Sequence, residues 1–154
     1  MTYKNLLAIF VLVTIMGCGG EKNAPKPVES WQDSPSRTTT RIKVKTGLSQ
    51  DKLLETCIAR LMRGGFKIDP EQDTNPLTTE IKKHGTTNVR FFVSFQDGSA
   101  IFYGQYGNPG INDIAMGTGN IDWKQITGGG GEVWQLLDIV TIIPNSTKQY
   151  NIIE

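Results

Sequence analysis

Cys57 and His84 are the residues from which nucleophilic chemistry would have to come, His84 being the sole histidine of the 154-residue chain. A thiol becomes a nucleophile when a neighbouring base or cation lowers its pKa. Nothing in the spacing brings these two together. Cys57 falls inside an apolar helical stripe, Leu53, Leu54, Cys57, Ile58 and Leu61, where a free cysteine acts as a small buried hydrophobe. One histidine and one spare thiol are too few for the usual zinc ligand sets. The run Gly128 to Gly131 ahead of a helix invites a phosphate cradle, but it lacks the Lys-Ser/Thr ending of a P-loop and the spacing of a dinucleotide fingerprint. Asp113, Asp122 and Asp138 are too scattered for a calcium loop. The residue inventory therefore points to a non-enzymatic protein with no cofactor; a hydrolase is the least supported reading.

The remaining cysteine, Cys18, carries a different chemistry. One cation, Lys4, precedes an apolar run from Leu6 to Ile15, too short for the ~20 residues of a bilayer-spanning helix. Then comes Ile15-Met16-Gly17-Cys18, which resembles a bacterial lipobox. An ordinary secretory signal also ends on small residues, but it does not require a thiol at the next position. The resemblance implies export, acylation of Cys18, and cleavage between Gly17 and Cys18. A single acyl chain holds a membrane only marginally; the diacylglyceryl group of such lipoproteins meets that need. The expected address is the cell envelope, lipid-anchored, with Gly19 after the cysteine favouring the outer membrane.

With residues 1–17 set aside as the signal peptide, Lys4 goes with them, leaving 15 basic against 15 acidic residues. Near-zero charge excludes a strongly basic nucleic-acid binder. Residues 18–40 are rich in Pro, Ser, Thr and charge, with only Val28 and Trp31 able to join a core. The reading is a disordered tether that holds a domain of residues 41–154 about 25 Å from the membrane.

Within that domain, Arg41–Lys45 alternates as a half-buried strand. Ser49 is placed to cap a helix that carries the Cys57 stripe, and Gly64-Gly65 ends it. Phe66–Asp69 and Leu77–Lys83 read as strands. Asn88–Phe95 and Ala100–Tyr106 form a hairpin closed by Asp97-Gly98, a type I′ signal. Ala115–Asp122 is a weaker strand candidate, and Glu132–Ile143 a second helix, stopped by Pro144. The order β-α-β-β-β-β-α defines an α+β fold, a single mostly antiparallel sheet with both helices on one face. Together with Leu61-Met62-Arg63-Gly64-Gly65-Phe66, it resembles the helix-grip or TATA-binding-protein-like domains of small envelope lipoproteins such as BamC. That resemblance brings no enzyme signature with it.

A two-residue hairpin turn sets Phe92 against Tyr103, Ser94 against Ile101 and Arg90 against Gln105, all on the face away from the helices. Lys43, Lys45 and Lys82 are expected to share that face, while Trp123 and Trp134 are expected in the core. An open sheet face is normally polar, so Phe92, Ile101, Tyr103 and Arg90 form the candidate interaction surface. The folded-back Trp31 segment, a partner chain or a ligand would cover it, although cross-strand aromatic pairs also stabilise hairpins in their own right. The function expected is a membrane-anchored accessory domain that docks an envelope protein. A small-molecule or lipid binder using the groove between sheet and helices is the alternative.

Overall fold

In a computed structural model, residues 30–72, 74–109 and 120–152 are described. The signal peptide, Cys18, Asp113 and most of the Ala115–Asp122 segment lie outside them. Ten elements follow in order: β1 (Ser30–Gln32), β2 (Arg41–Lys45), α1 (Gln50–Arg63), β3 (Leu77–Thr78), β4 (Lys82–His84), β5 (Thr87–Gln96), β6 (Ser99–Gly107), β7 (Lys124–Gln125), α2 (Glu132–Val140) and β8 (Thr147–Ile152). The strands make one antiparallel sheet in the order β1-β8-β2-β6-β5-β3; β4 also pairs with β5 and β7 with β6. Both helices pack on one side of it, so the α+β class holds.

Period-two alternation decides what faces the helices. Ile42 and Val44 of β2, Val89, Phe91 and Val93 of β5, and Ala100 and Phe102 of β6 are fully buried against Leu53, Cys57 and Leu61 of α1 and Leu137 of α2. α1 starts after Ser49, whose backbone is extended but whose side chain makes no capping bond. Its end is a Schellman arrangement: Gly65, at φ +77°, donates to the Met62 carbonyl and Phe66 to that of Leu61. The reversal drops Phe66 into the core, 4.5 Å between ring centroids from Phe91. Gly104 leaves room for that pair, because a Cβ there would sit 2.6 Å from both Phe91 and Ile126.

Several boundaries differ from the sequence reading. Phe66–Asp69 supplies only an isolated bridge, Ile68 to Thr79, and Leu77–Lys83 divides into β3 and β4. The second helix stops at Val140, where the Thr141 hydroxyl donates to the Asp138 carbonyl. Strand β8 is unanticipated, yet it lies between β1 and β2. Its inward residues are Lys148 and Tyr150, and Asp138 receives both: Lys148 Nζ at 2.8 Å and the Tyr150 hydroxyl at 3.4 Å. Burial first, and the Asp138 carboxylate second, raise the Tyr150 phenol above its ordinary pKa.

The largest correction concerns the tether, whose residues 30–40 belong to the fold. β1 pairs with β8, and Thr39 and Thr40 are buried. Asn151, 1 % exposed, holds the join: its Oδ1 accepts from the backbone N–H of Thr40 at 2.9 Å and of Arg41 at 2.7 Å. Replacing it strands the buried Thr40 N–H and the part-buried Arg41 N–H together. Asn151→Ala is expected to cost about 2–4 kcal/mol and to lower the melting temperature by roughly 10 °C. Gln149→Ala, on the open face of the same strand, should stay within about 0.5 kcal/mol. Equal effects in thermal denaturation would remove Asn151 from this role.

Candidate functional site

The hairpin closes as its turn residues require, with Asp97 and Gly98 at φ +48° and +68°. The resulting register sets Arg90 against Gln105, Phe92 against Tyr103 and Ser94 against Ile101. Across β6 the open face continues onto β2, with Arg41 opposite Tyr103 and Lys43 opposite Ile101. The four candidate residues therefore share one surface. Ile101 is nevertheless only 7 % exposed, while Phe92, Tyr103 and Arg90 are half-buried.

Their contacts are aromatic and cationic. Phe92 and Tyr103 stack with centroids 5.1 Å apart and planes 14° from parallel. The Arg41 guanidinium lies 5.7 Å from the Tyr103 ring centre. At the near edge, Lys43 Nζ sits 3.9 Å above the Trp31 ring, so the strand nearest the N-terminus covers part of this face. At the far edge, Arg90 lies 4.2 Å from the Trp123 ring centre and 5.3 Å from that of Phe92. Its Nε and Nη2 donate to Gln105 Oε1 at 3.0 and 2.8 Å. Partial burial lowers the Arg90 pKa from its ordinary value; a guanidinium remains charged regardless.

Two placements correct the sequence reading. Trp123, expected in the core, belongs to the open face, because it precedes β7, which extends the sheet alongside Gln105 and Tyr106. Trp134 does join the core. Lys82, expected on the open face, points to the helix side, where Nζ donates to the Gly64 carbonyl at 2.9 Å and caps the Phe66 ring at 4.5 Å. The folded-back Trp31 segment is one of the covers expected from the sequence, and Trp31 does lie against Lys43 of this face. Trp123 is the surface aromatic that sequence reasoning missed, because spacing from Gln125 does not reveal it without the β6–β7 pairing.

The other chemical candidates do not assemble. His84 Nε2 stands 3.7 Å from Glu132 Oε2 at the start of α2, whereas Cys57 is enclosed in the core. Among the described residues no three His, Cys, Asp or Glu side chains converge as a metal site. Gly128 to Gly131 leads into α2, with the Gly128 N–H donating to the Thr39 carbonyl. The space between sheet and helices is filled by side chains of at most 2 % exposure, Phe66, Phe91, Phe102 and Leu137 among them. Hollows lie instead at the surface: one of about 630 Å³ between the end of α1 and Ile68, another of about 480 Å³ beside Lys43, Lys45 and the Asp97 turn. No helix among the described residues is long and apolar enough to cross a membrane. Comparison with protein families, curated proteins and solved structures finds no match.

Burial pushes the Cys57 thiol up to about 12, so it stays neutral in the folded chain while an unfolded thiol ionises near ~8.5. In a chain carrying Cys18→Ser, a thiol reagent at pH 8 should leave native Cys57 unmodified and react on denaturation. The same shift has a sign in stability. The unfolded state loses its proton first as pH rises, so the Cys57 contribution is complete below about pH 8.5 and falls by about 1.4 kcal/mol per unit toward pH 12. Cys57→Ala should remove that component from the alkaline slope of denaturant-unfolding free energies. An unchanged slope would show that Cys57 titrates alike in the folded and unfolded chain, against a pKa raised by burial.

Proposed function

We propose that this chain is a membrane-anchored envelope lipoprotein whose α+β domain is a non-enzymatic docking module, using its open sheet face to bind an envelope protein. One observation carries the reading: the face away from the helices holds Trp31, Phe92, Tyr103, Trp123, Arg41 and Arg90 where a solvated sheet would hold small polar residues. Trp, Tyr and Arg are the residues that dominate binding energy at protein interfaces. The anchor reading rests on Cys18 and its preceding residues, and it leaves residues 19–29 between the lipid and β1. Eleven residues reach at most about 40 Å even when fully extended, which keeps the face near the membrane-proximal parts of a partner. The filled sheet–helix space weighs against a small ligand in that groove.

The experiment is photo-crosslinking in living cells from a benzoylphenylalanine at Tyr103, with exposed Glu55 on the far side of α1 as the control position. The expected result is a discrete protein adduct from Tyr103 and none from Glu55, lost in Phe92→Glu. That substitution forfeits a stacked pair worth about 1 kcal/mol, so the purified variant should keep a cooperative thermal transition. Adducts of equal yield from both positions, or none from either, would overturn the reading. Cys18→Ser should release the chain from the membrane fraction; retention would count against the anchor.

A further inference from the structure

The open face is polarised as well as aromatic. Among the described residues its strand positions carry Arg41, Lys43, Lys45, Lys83 and Arg90 and no carboxylate, although the whole chain has nearly equal numbers of acids and bases. Among the described residues, Asp97 sits in the hairpin turn at one end of the face and Asp122 precedes Trp123 at the other. Arg90 is held in place on three sides, between the Trp123 and Phe92 rings and against the Gln105 amide oxygen. Gln105 occupies Nε and one N–H of Nη2. Nη1 and the second N–H of Nη2 have no partner among the described residues, and Nη1 is not sealed from solvent. That pair of donors is the half of the guanidinium fork that matches a carboxylate in bidentate geometry.

We infer that Arg90 is the anchor point for a carboxylate of the protein partner, an Asp or Glu side chain or a chain terminus, received beside the Phe92–Tyr103 stack. The inference rests on the docking reading and specifies the chemistry of the docked surface. Three features favour it. A guanidinium already ordered by two rings and an amide loses little freedom on binding. Neighbouring aromatics exclude water, which strengthens a charge-assisted bond. The net positive face also steers an acidic surface toward it. A membrane headgroup layer would present anions too, but polybasic lipid binding uses clusters of four to eight mobile Lys or Arg. Here Lys43 is pinned to Trp31 and Arg90 to Trp123, an arrangement for one oriented acid rather than for a diffuse layer.

The test uses the full lipidated chain in cells with the Tyr103 photo-probe, in Arg90→Gln, Arg90→Lys and Arg90→Glu backgrounds. Both Arg90→Gln and Arg90→Lys should cut the protein adduct by about tenfold or more, since lysine keeps the charge but loses the fork. The crosslinked segment, identified by mass spectrometry, should contain a carboxylate whose reversal to Arg restores the adduct of Arg90→Glu. A merely structural role for Arg90 would not give that rescue. An Arg90→Gln or Arg90→Lys adduct at full yield, an adduct that is lipid or glycan, or failure of every reversal would each overturn the inference. Loss of the adduct in Phe92→Glu with retention in Arg90→Gln would leave docking standing and remove only the carboxylate anchor. No adduct in the parent chain would remove the docking reading itself.

Discussion

The register of β5 on β6 is the constraint on which both faces of this domain depend. Asp97 and Gly98 close the hairpin in two left-handed residues, and every pair from Gln96–Ser99 to Asn88–Gly107 follows. A slip of one residue would send Phe91 and Val93 to the open face and Arg90 and Phe92 into the helices. The core then would hold a guanidinium without a partner, a cost far above that of the turn itself. Gly104 tightens the constraint, because only at this register does its missing side chain lie under Phe91 and Ile126. The aromatic surface is thus determined by the same turn that builds the core.

The hairpin, the α1 stripe and the open-face register were legible in the sequence because each rests on local rules. Alternation, a two-glycine helix stop and an Asp-Gly turn need only neighbouring residues to be recognised. β8 was not legible. Its inward positions are Lys148 and Tyr150, and a buried lysine stem reads as polar until Asp138, on another element, supplies its partner. β1 was lost for a related reason. Ser30-Trp31-Gln32 sits in a proline- and serine-rich stretch, and its pairing partner lies about 120 residues later. Long-range pairing rescued a segment whose own composition argues for disorder.

The same logic explains the errors on the candidate surface. One continuous strand from Leu77 to Lys83 would set Lys82 on the open face, but β3 and β4 are separate strands with a break between them, which reverses the parity. Its ammonium consequently caps Phe66 and the end of α1. Trp123 reads as a core residue because it stands near the second helix in sequence. β7 pairs beside Gln105, however, and carries the indole round to Arg90. In both cases a single pairing outside the sequence window decided which side of the sheet a long side chain serves.

Arg90 is where local consistency gives way. The core positions and the hairpin turn of this domain agree with the fold, whereas a cation set between two rings and an amide, with half its fork unused, adds desolvation cost without a counter-charge among the described residues. A glutamate at Gln105 would have neutralised it within the sheet. Glutamine instead orients the guanidinium without neutralising it. Departures of this kind from local consistency are expected at functional positions. Gln105 is therefore as informative as Arg90: an amide opposite an arginine holds the cation in place and keeps it available to an acid from outside the chain.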